Sequence, residues 1–425
     1  MAANQSTLLD NSAGPLTFLG DPTTLAVLEA AAKTFVKANG QAVEIWAASR
    51  DWFLEEWGRD TFIALPGLLL TAGRYEEARL IFLRFAEREQ HGLIPNVIHA
   101  DQTLYNTVDA SLWFIHALKA YVQMTQDWSF AIQLLPMLRH ITSGYIGGTG
   151  YQRGGTWYVV GVDPEDGLVV SPPQATWMDA DPSGNGSSIV TPRNGKCVEI
   201  NALWYGALRF VSRVEKQAAG TSDSEPIEAL ADRVQRAFRK KFWNKSNACL
   251  YDVIEGDPHG SAIRPNQVIA ISHGDDLIRP EEQRAILAVV ERELLTPGGL
   301  RTLSPRDASY HGQYDTTAPM AVKDFAYHQG TVWPWLIGPY TDALQIVGRA
   351  RDLSESTIHH EVGRVIAPLV RFCLRSEFKS LPEVFSGDPP YEPGGTTSQA
   401  WSIAEVLRVL HKIAPTFSRN ETVKI

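Results

Sequence analysis

Residues 198–242, VEINALWYGALRFVSRVEKQAAGTSDSEPIEALADRVQRAFRKKF, place two helices of opposite character one after the other. The first opens on one acid, Glu199, and is then apolar nearly all round, which requires burial on every side. The second, PIEALADRVQRAFRKKF, has a charged face opposite an apolar stripe, so one side stays wet. The same alternation recurs along the chain. RYEEARLIFLRFAERE is amphipathic, whereas NTVDASLWFIHALKAY and GTVWPWLIGPYTDAL are apolar nearly all round.

Helical periodicity predicts helices over 22–38, 59–71, 74–89, 106–125, 127–147, 197–219, 224–242, 265–275, 280–294, 329–347, 354–374 and 397–413. Buried helices alternating with half-wet ones suit an all-α (α/α)6 barrel, a six-hairpin toroid with an inner ring and an outer wrap. Six hairpins use the whole chain. A short extension (1–21) followed by one unit (22–425) is therefore expected. The Gly/Pro-rich segment 146–196 is too long for a plain connector and is expected to serve function or carry short strands.

The chain has 425 residues, 44% of them hydrophobic and 20% charged, with a net charge of −9. That balance argues against nucleic acid or an anionic membrane as the main partner and suits a neutral, hydroxyl-rich ligand. The three cysteines are far apart, with no CxxC pair, so neither a disulfide framework nor a cysteine zinc site is expected. No signal-peptide pattern and no membrane-length apolar run appear, and a cytoplasmic setting is the simplest reading. HExxH, GxxxxGK[ST] and GxSxG are missing, and the eleven histidines are scattered, so no metal or cofactor is expected.

Twelve tryptophans stand out, among them Trp46, Trp52, Trp57, Trp157, Trp177, Trp333 and Trp335 beside predicted loops. A single Trp is ordinarily core. Clustered with carboxylates at loop mouths, the flat rings suit the apolar faces of sugars. Buried helices also begin with polar side chains: Asp60, Asp109, Glu199, Gln329 and Gln399. One such acid is accounted for by the helix dipole; five predict a shared polar rim.

A rim of carboxylates suits glycoside hydrolysis, which needs one carboxyl to protonate the leaving oxygen and another to activate water or attack. Asp179 follows Trp177 and Met178, an apolar setting that raises a carboxyl's pKa; the alternative is an Asx-turn in DADPSG. Glu383 lies in a rigid loop, SLPEVFSGDPPY, before the last buried helix; the alternative is a surface glutamate. A sugar-binding toroid without catalysis, and an isomerase using His328 beside Gln329 as base, are the competing readings.

Together these motifs resemble the amylo-α-1,6-glucosidase part of glycogen debranching enzymes over roughly residues 22–413. The likeness is carried, in order, by WFLEEWGRDTFIALPGLLL, HGLIPNVI with YNTVDASLWF, TWMDA with VTPRNGKCVEINALWY, RPNQ, YHQGTVWPW, and EVFSGDPPY with SQAWSIAEVLRVL. The resemblance implies an (α/α)6 barrel that hydrolyses α-linked glucose at branch stubs. It implies Asp179 as general acid and Glu383 as general base, with inversion and a carboxyl separation of roughly 6.5–9.5 Å. It also implies that Trp57, Arg59, Asp60, Asn106, Asp109, Trp177, Glu199, Trp204, His328, Gln329, Trp333 and Trp335 hold the terminal sugar. Neither a β-rich N-terminal domain nor a transferase barrel is expected, and preference for substrate length is expected to reside in DADPSGNGSSI and 299–328.

Overall fold

The computed structural model describes residues 9, 14–39, 42–48, 55–99, 102–181, 189–219 and 224–418. Trp52 and most of the DADPSGNGSSI loop, 182–188, lie outside them. Fourteen α-helices occur among the described residues: α1 Pro22–Lys33, α2 Gly58–Leu65, α3 Tyr75–Ala86, α4 Ala110–Thr125, α5 Trp128–Gln133, α6 Leu135–Gly147, α7 Val198–Ala219, α8 Glu225–Lys241, α9 Gln267–Ser272, α10 Pro280–Glu293, α11 Met320–Tyr327, α12 Ile337–Arg349, α13 Glu355–Arg375 and α14 Ala400–Ser418.

Six of them form a sequence of contacts that returns to its start. α2 packs on α4, α4 on α7, α7 on α9, α9 on α12, α12 on α14, and α14 on α2. The residues dictate this: α4 buries nearly every side chain from Ala110 to Val122, as the absence of a polar face requires. The amphipathic helices lie against this inner set: α8 on α7, α10 on α12, α13 on α12 and α14, and α1 on α14. The arrangement is compatible with a six-hairpin toroid. Where α14 meets the π-helical turn Pro66–Leu70 after α2, Gly67 lies so close that a Cβ would stand 2.0 Å from the Ala404 carbonyl oxygen. Only glycine permits that approach.

Several predicted elements are corrected. The helix expected over 22–38 stops at Lys33, and Val36–Asn39 pairs as a strand with Ala42–Ile45. β-branched Val36 and Val43 suit that pairing. The 127–147 segment is two helices that meet at Leu134, and Pro136 takes the first turn of the second, where a missing N–H costs no helix bond. The 329–347 helix begins at Ile337, after the strand Val332–Trp333 and a 3-10 turn, while α11 was not expected at all. Segment 146–196 does carry short strands, Thr149–Arg153, Thr156–Val162 and Val169–Val170, in one antiparallel sheet.

A five-stranded antiparallel sheet, in the order 295–296, 299–301, 332–333, 384–385, 393–394, was also unforeseen. Two-residue strands carry too few residues for an alternating pattern to show. This sheet fixes Trp333 and the Glu383 loop side by side. Among the described residues, no helix is long and apolar enough to cross a membrane.

Trp204, expected at the sugar, is a core residue. It has no exposure, its ring stacks on Tyr145 at 5.6 Å, and its indole N–H donates to the Gly167 carbonyl at 3.1 Å. Trp204→Ala is expected to lower unfolding free energy by about 3–5 kcal/mol, read from urea denaturation. A variant of wild-type stability that fails only in sugar binding would overturn this placement.

Candidate active site

The starts of the inner helices supply most of the polar groups. Arg59 and Asp60 lie in the first turn of α2, and Asp109 is the residue just before α4. Arg59 is 3% exposed, and its guanidinium donates in three directions. Nε reaches Asp109 at 2.7 Å, Nη2 reaches the Thr107 hydroxyl at 2.9 Å, and Nη1 reaches Asp179 at 3.0 Å. Asp60, 5% exposed, accepts from the Gln399 side chain at 3.1 Å, and Gln399 precedes α14. Four of the expected polar residues, Arg59, Asp60, Asp109 and Asp179, therefore meet as one cluster.

Glu383 reaches that cluster from the five-stranded sheet. Its backbone N–H donates to the Thr396 carbonyl at 2.9 Å, and the Thr396 N–H returns a bond to its carboxylate at 3.3 Å. The Tyr327 hydroxyl also hydrogen-bonds the carboxylate. Burial raises the pKa of Glu383, these two donors lower it, and the negative charge of Asp179 raises it, with a net rise. Asp179 is likewise raised, first by burial; the Arg59 cation opposes this, and Asp109 adds to it. Asp60 lies within the fields of both: burial lifts it to about 8, Arg59 works against this, and Glu383, Asp179 and Asp109 work with it. Three carboxyls thus share one pocket and resist simultaneous ionisation.

Beneath the Trp177–Asp179 segment lies a second buried network. Arg193, in the left-handed backbone region at φ 47°, binds Glu199 at 2.5 and 2.6 Å, Asp252 at 2.7 and 3.0 Å, and the Thr176 hydroxyl at 2.9 Å. Asn266 donates to Asp252 at 2.7 Å and accepts the Trp177 indole N–H at 2.7 Å. Glu199 is 1% exposed and committed to Arg193, so it supports the site from below rather than facing a sugar. The sequence placed it correctly in a first turn but held no sign of Arg193 as its partner.

The aromatics also sort themselves. Trp177 lies edge-on to Trp333, Trp335 and His328, each at 5.3 Å. His328 has no exposure, stacks beneath Trp333 at 5.3 Å, and is held neutral, first by burial and then by the Arg264 and Arg59 cations. It is closed off from solvent, which corrects its expected contact with a ligand and its reading as a base. Trp335 is fully buried as well and belongs to the ring's interior. Gln329, 7% exposed, accepts from Arg264 at 2.6 Å and lines a neighbouring polar cavity of about 360 Å³ with Arg193, Asp257 and His311. Trp57 and Asn106 are half-buried near the start of α2 and of α4; Asn106 accepts from Asn96 at 3.4 Å.

Sequence reading did not find Tyr327, Thr396, Thr107, Arg193, Asp252 or Asn266. Tyr327 and Arg193 lie within the quoted YHQG and TPRNG motifs, which was the available signal. The described residues hold one carboxylate group of metal-ligand spacing, Asp163, Asp166 and Glu255. Lys196 already donates to all three, at 2.8 Å to Asp163 and 2.7 Å to Asp166.

Residues 29–408 match the amylo-alpha-1,6-glucosidase family. The glycogen debranching enzyme of Saccharomyces cerevisiae is 27% identical over 85% of this chain, which spans 29% of that enzyme's length. Among solved structures, the GH63 mannosylglycerate hydrolase of Thermus thermophilus in complex with glucose superposes with a TM-score of 0.62. It is 15% identical, with 93% of this chain and 99% of that one covered. The GH78 rhamnosidase of a Bacillus species gives 0.59 at 14% identity, covering 93% of this chain and 34% of that one. At these identities the two structures attest the fold alone.

The raised pKa of Asp60 has a consequence for stability. The folded state keeps a proton that the unfolded chain releases near pH 3.8, so this group's contribution falls as pH rises from about 4 to about 8. Asp60→Asn keeps the neutral form throughout. Its melting temperature relative to wild type is expected to climb between pH 5 and 8; a constant difference across that range would reject the assignment.

Proposed function

Because the chain belongs to the amylo-alpha-1,6-glucosidase family and is a glycoside hydrolase, we propose that it releases glucose from α-1,6-linked branch stubs of glycogen or a limit dextrin. Asp179 acts as general acid and Glu383 as general base. The inner set of six helices and its amphipathic wrap form an (α/α)6 toroid over 22–425, with 1–21 as an extension. The cytoplasm is the setting we assign, and the three cysteines are buried and free.

The observation that carries this reading is a pair of carboxyls from different elements, Glu383 buried and Asp179 with its side chain one third exposed, each with the surroundings its role needs. Glu383 accepts from Tyr327 and Thr396, donors that favour its carboxylate. A carboxylate there draws a proton from water as the water oxygen attacks the anomeric carbon. The carbon–oxygen bond on the opposite face breaks, and the leaving glucan oxygen takes the proton of Asp179. Water thus ends as the anomeric hydroxyl of β-glucose, with inversion. Arg59 opposes protonation of Asp179 at rest but stabilises the carboxylate left when the proton departs, an interaction strongest along the reaction path. Asp60, neutral near pH 7, holds a sugar hydroxyl with the half-buried Trp57 as an apolar wall, while Asp109, 1% exposed, positions Arg59.

A second reading keeps the machinery and changes the substrate to α-1,4 ends or a small glucoside. Its support is that the chain spans only 29% of the length of the debranching relative it matches.

Asp179→Asn and Glu383→Gln should each cut turnover by about 10³-fold or more while circular dichroism stays unchanged. A loss under tenfold in both would reject the pair. The rate should follow a bell in pH, its acid limb from Glu383 and its alkaline limb from Asp179. Glucose release from a phosphorylase limit dextrin beside linear maltooligosaccharides, with the anomer followed by NMR, separates the two readings. β-Glucose from the dextrin alone supports debranching, and glucose mainly from linear chains supports the second.

A further inference from the structure

Trp157 is 58% exposed, more than any other tryptophan among the described residues. It lies in the antiparallel sheet of Thr149–Arg153, Thr156–Val162 and Val169–Val170. Successive side chains of a strand point to opposite faces, so the register sorts the two faces of this sheet. On one face Tyr151 and Tyr158 stand opposite each other and stack at 5.7 Å. That face turns toward the carboxyl cluster. Arg153 donates to Gln174 at 2.9 Å and to Asp181 at 3.0 Å, two residues from Asp179. Burial raises the pKa of the Tyr151 hydroxyl, Arg153 opposes this, and Tyr158, Asp109 and Asp179 add to it. The sheet therefore borders the candidate active site.

The other face carries Trp157, Val159 and Val170, all exposed. Gly150 pairs with Val159, diagonal to Trp157. A Cβ on Gly150 would stand 2.9 Å from the indole Nε1 and 3.0 Å from its Cε2. The ring therefore lies over the strand at Gly150, with one side on the sheet and the other open to water. Among the described residues it meets no other ring. Its cross-strand neighbour is Gln152, exposed and uncharged. Such a surface suits a sugar, whose C–H groups lie on the negative face of an aromatic ring and whose hydroxyls both donate to and accept from an amide. The patch is too small for a second copy of the chain. Even at about 250 Å² for each of the three apolar side chains, the most an aromatic buries, it falls short of the roughly 800 Å² per partner of a stable interface.

We propose that this face is a glucan-docking surface, holding glucosyl units of a neutral α-glucan chain on the Trp157 indole beside Val159 and Gln152, on the far side of the sheet that borders the candidate active site. The occupant is the polymer that carries the branch stubs, so the inference rests on the proposed function for the polymer's identity but not for its hydrolysis. A chain held there keeps neighbouring chain ends near the active site and raises their effective concentration. A large glucan gains from this, and a short oligosaccharide does not.

The test is native electrophoresis of wild type, Trp157→Ala and Trp157→Tyr through gels with and without glycogen, beside hydrolysis of panose and of a limit dextrin. Glycogen is expected to retard wild type. Trp157→Ala should bind it about tenfold more weakly, and Trp157→Tyr, which keeps a flat ring, should recover most of the loss. The KM of Trp157→Ala for the dextrin should rise by a similar factor, with kcat and both constants for panose unchanged. Equal retardation of wild type and Trp157→Ala would overturn the proposal. So would an equal loss on panose and dextrin, or a wild-type dimer that Trp157→Ala dissociates in analytical ultracentrifugation. Retardation that needs Trp157, with neither substrate hydrolysed, would uphold the surface and reject the proposed function instead. Should Trp157→Ala melt below wild type, Val159→Arg, whose guanidinium covers the neighbouring indole, makes the same comparison.

Discussion

The guanidinium of Arg59 is the interaction on which the rest of the site depends. A buried cation is stable only when its donors are met, and here three side chains from two segments meet them. Asp109 and Thr107 come from the approach to α4, and Asp179 from the loop before α7. One side chain therefore fixes the relation of α2 to α4 and anchors the segment that carries the proposed acid. The next residue, Asp60, joins Gln399 at the start of α14. Two consecutive residues thus tie three of the six inner helices together at their first turns.

The same economy appears one layer down. Arg193 satisfies Glu199 and Asp252 together and reaches Thr176, three residues from Asp179. Asn266 passes the constraint on to the Trp177 indole. Both networks lie where inner helices begin, and helix N-termini favour negative charge there. That is why acids gather at this end and why cations must be built in among them. The carboxyls so collected cannot all ionise, and the resulting upward shifts are what acid catalysis near neutral pH requires.

The opposite constraint is apolar. Trp113, Trp177, Trp333, Trp335 and Trp401 meet at centroid distances of 5.3 to 6.3 Å across the interior. They fill the interior between the six inner helices and divide it into two ends of unlike character. Trp177, Trp333 and Trp335, which looked like sugar platforms, serve this wall. The sequence placed them beside loops correctly, but adjacency to a loop does not say which way a ring points.

The sequence by itself determined which helices are buried and which are half-wet, because that depends only on the spacing of apolar side chains. It also determined the family, through six motifs in order, and the polar character of the helix starts that became Arg59, Asp60 and Asp109. Only the tertiary structure decided partners. Glu199 and Asp109 both sit at the start of an apolar helix, yet one is committed to a buried support and the other to the site, because Arg193 and Arg59 arrive from different parts of the chain. The short strands that carry Glu383, and the Tyr327 hydroxyl that meets it, were likewise beyond local pattern. Two-residue strands and side-chain hydrogen bonds between distant segments leave no periodicity to read, and they come into being only when the ring closes.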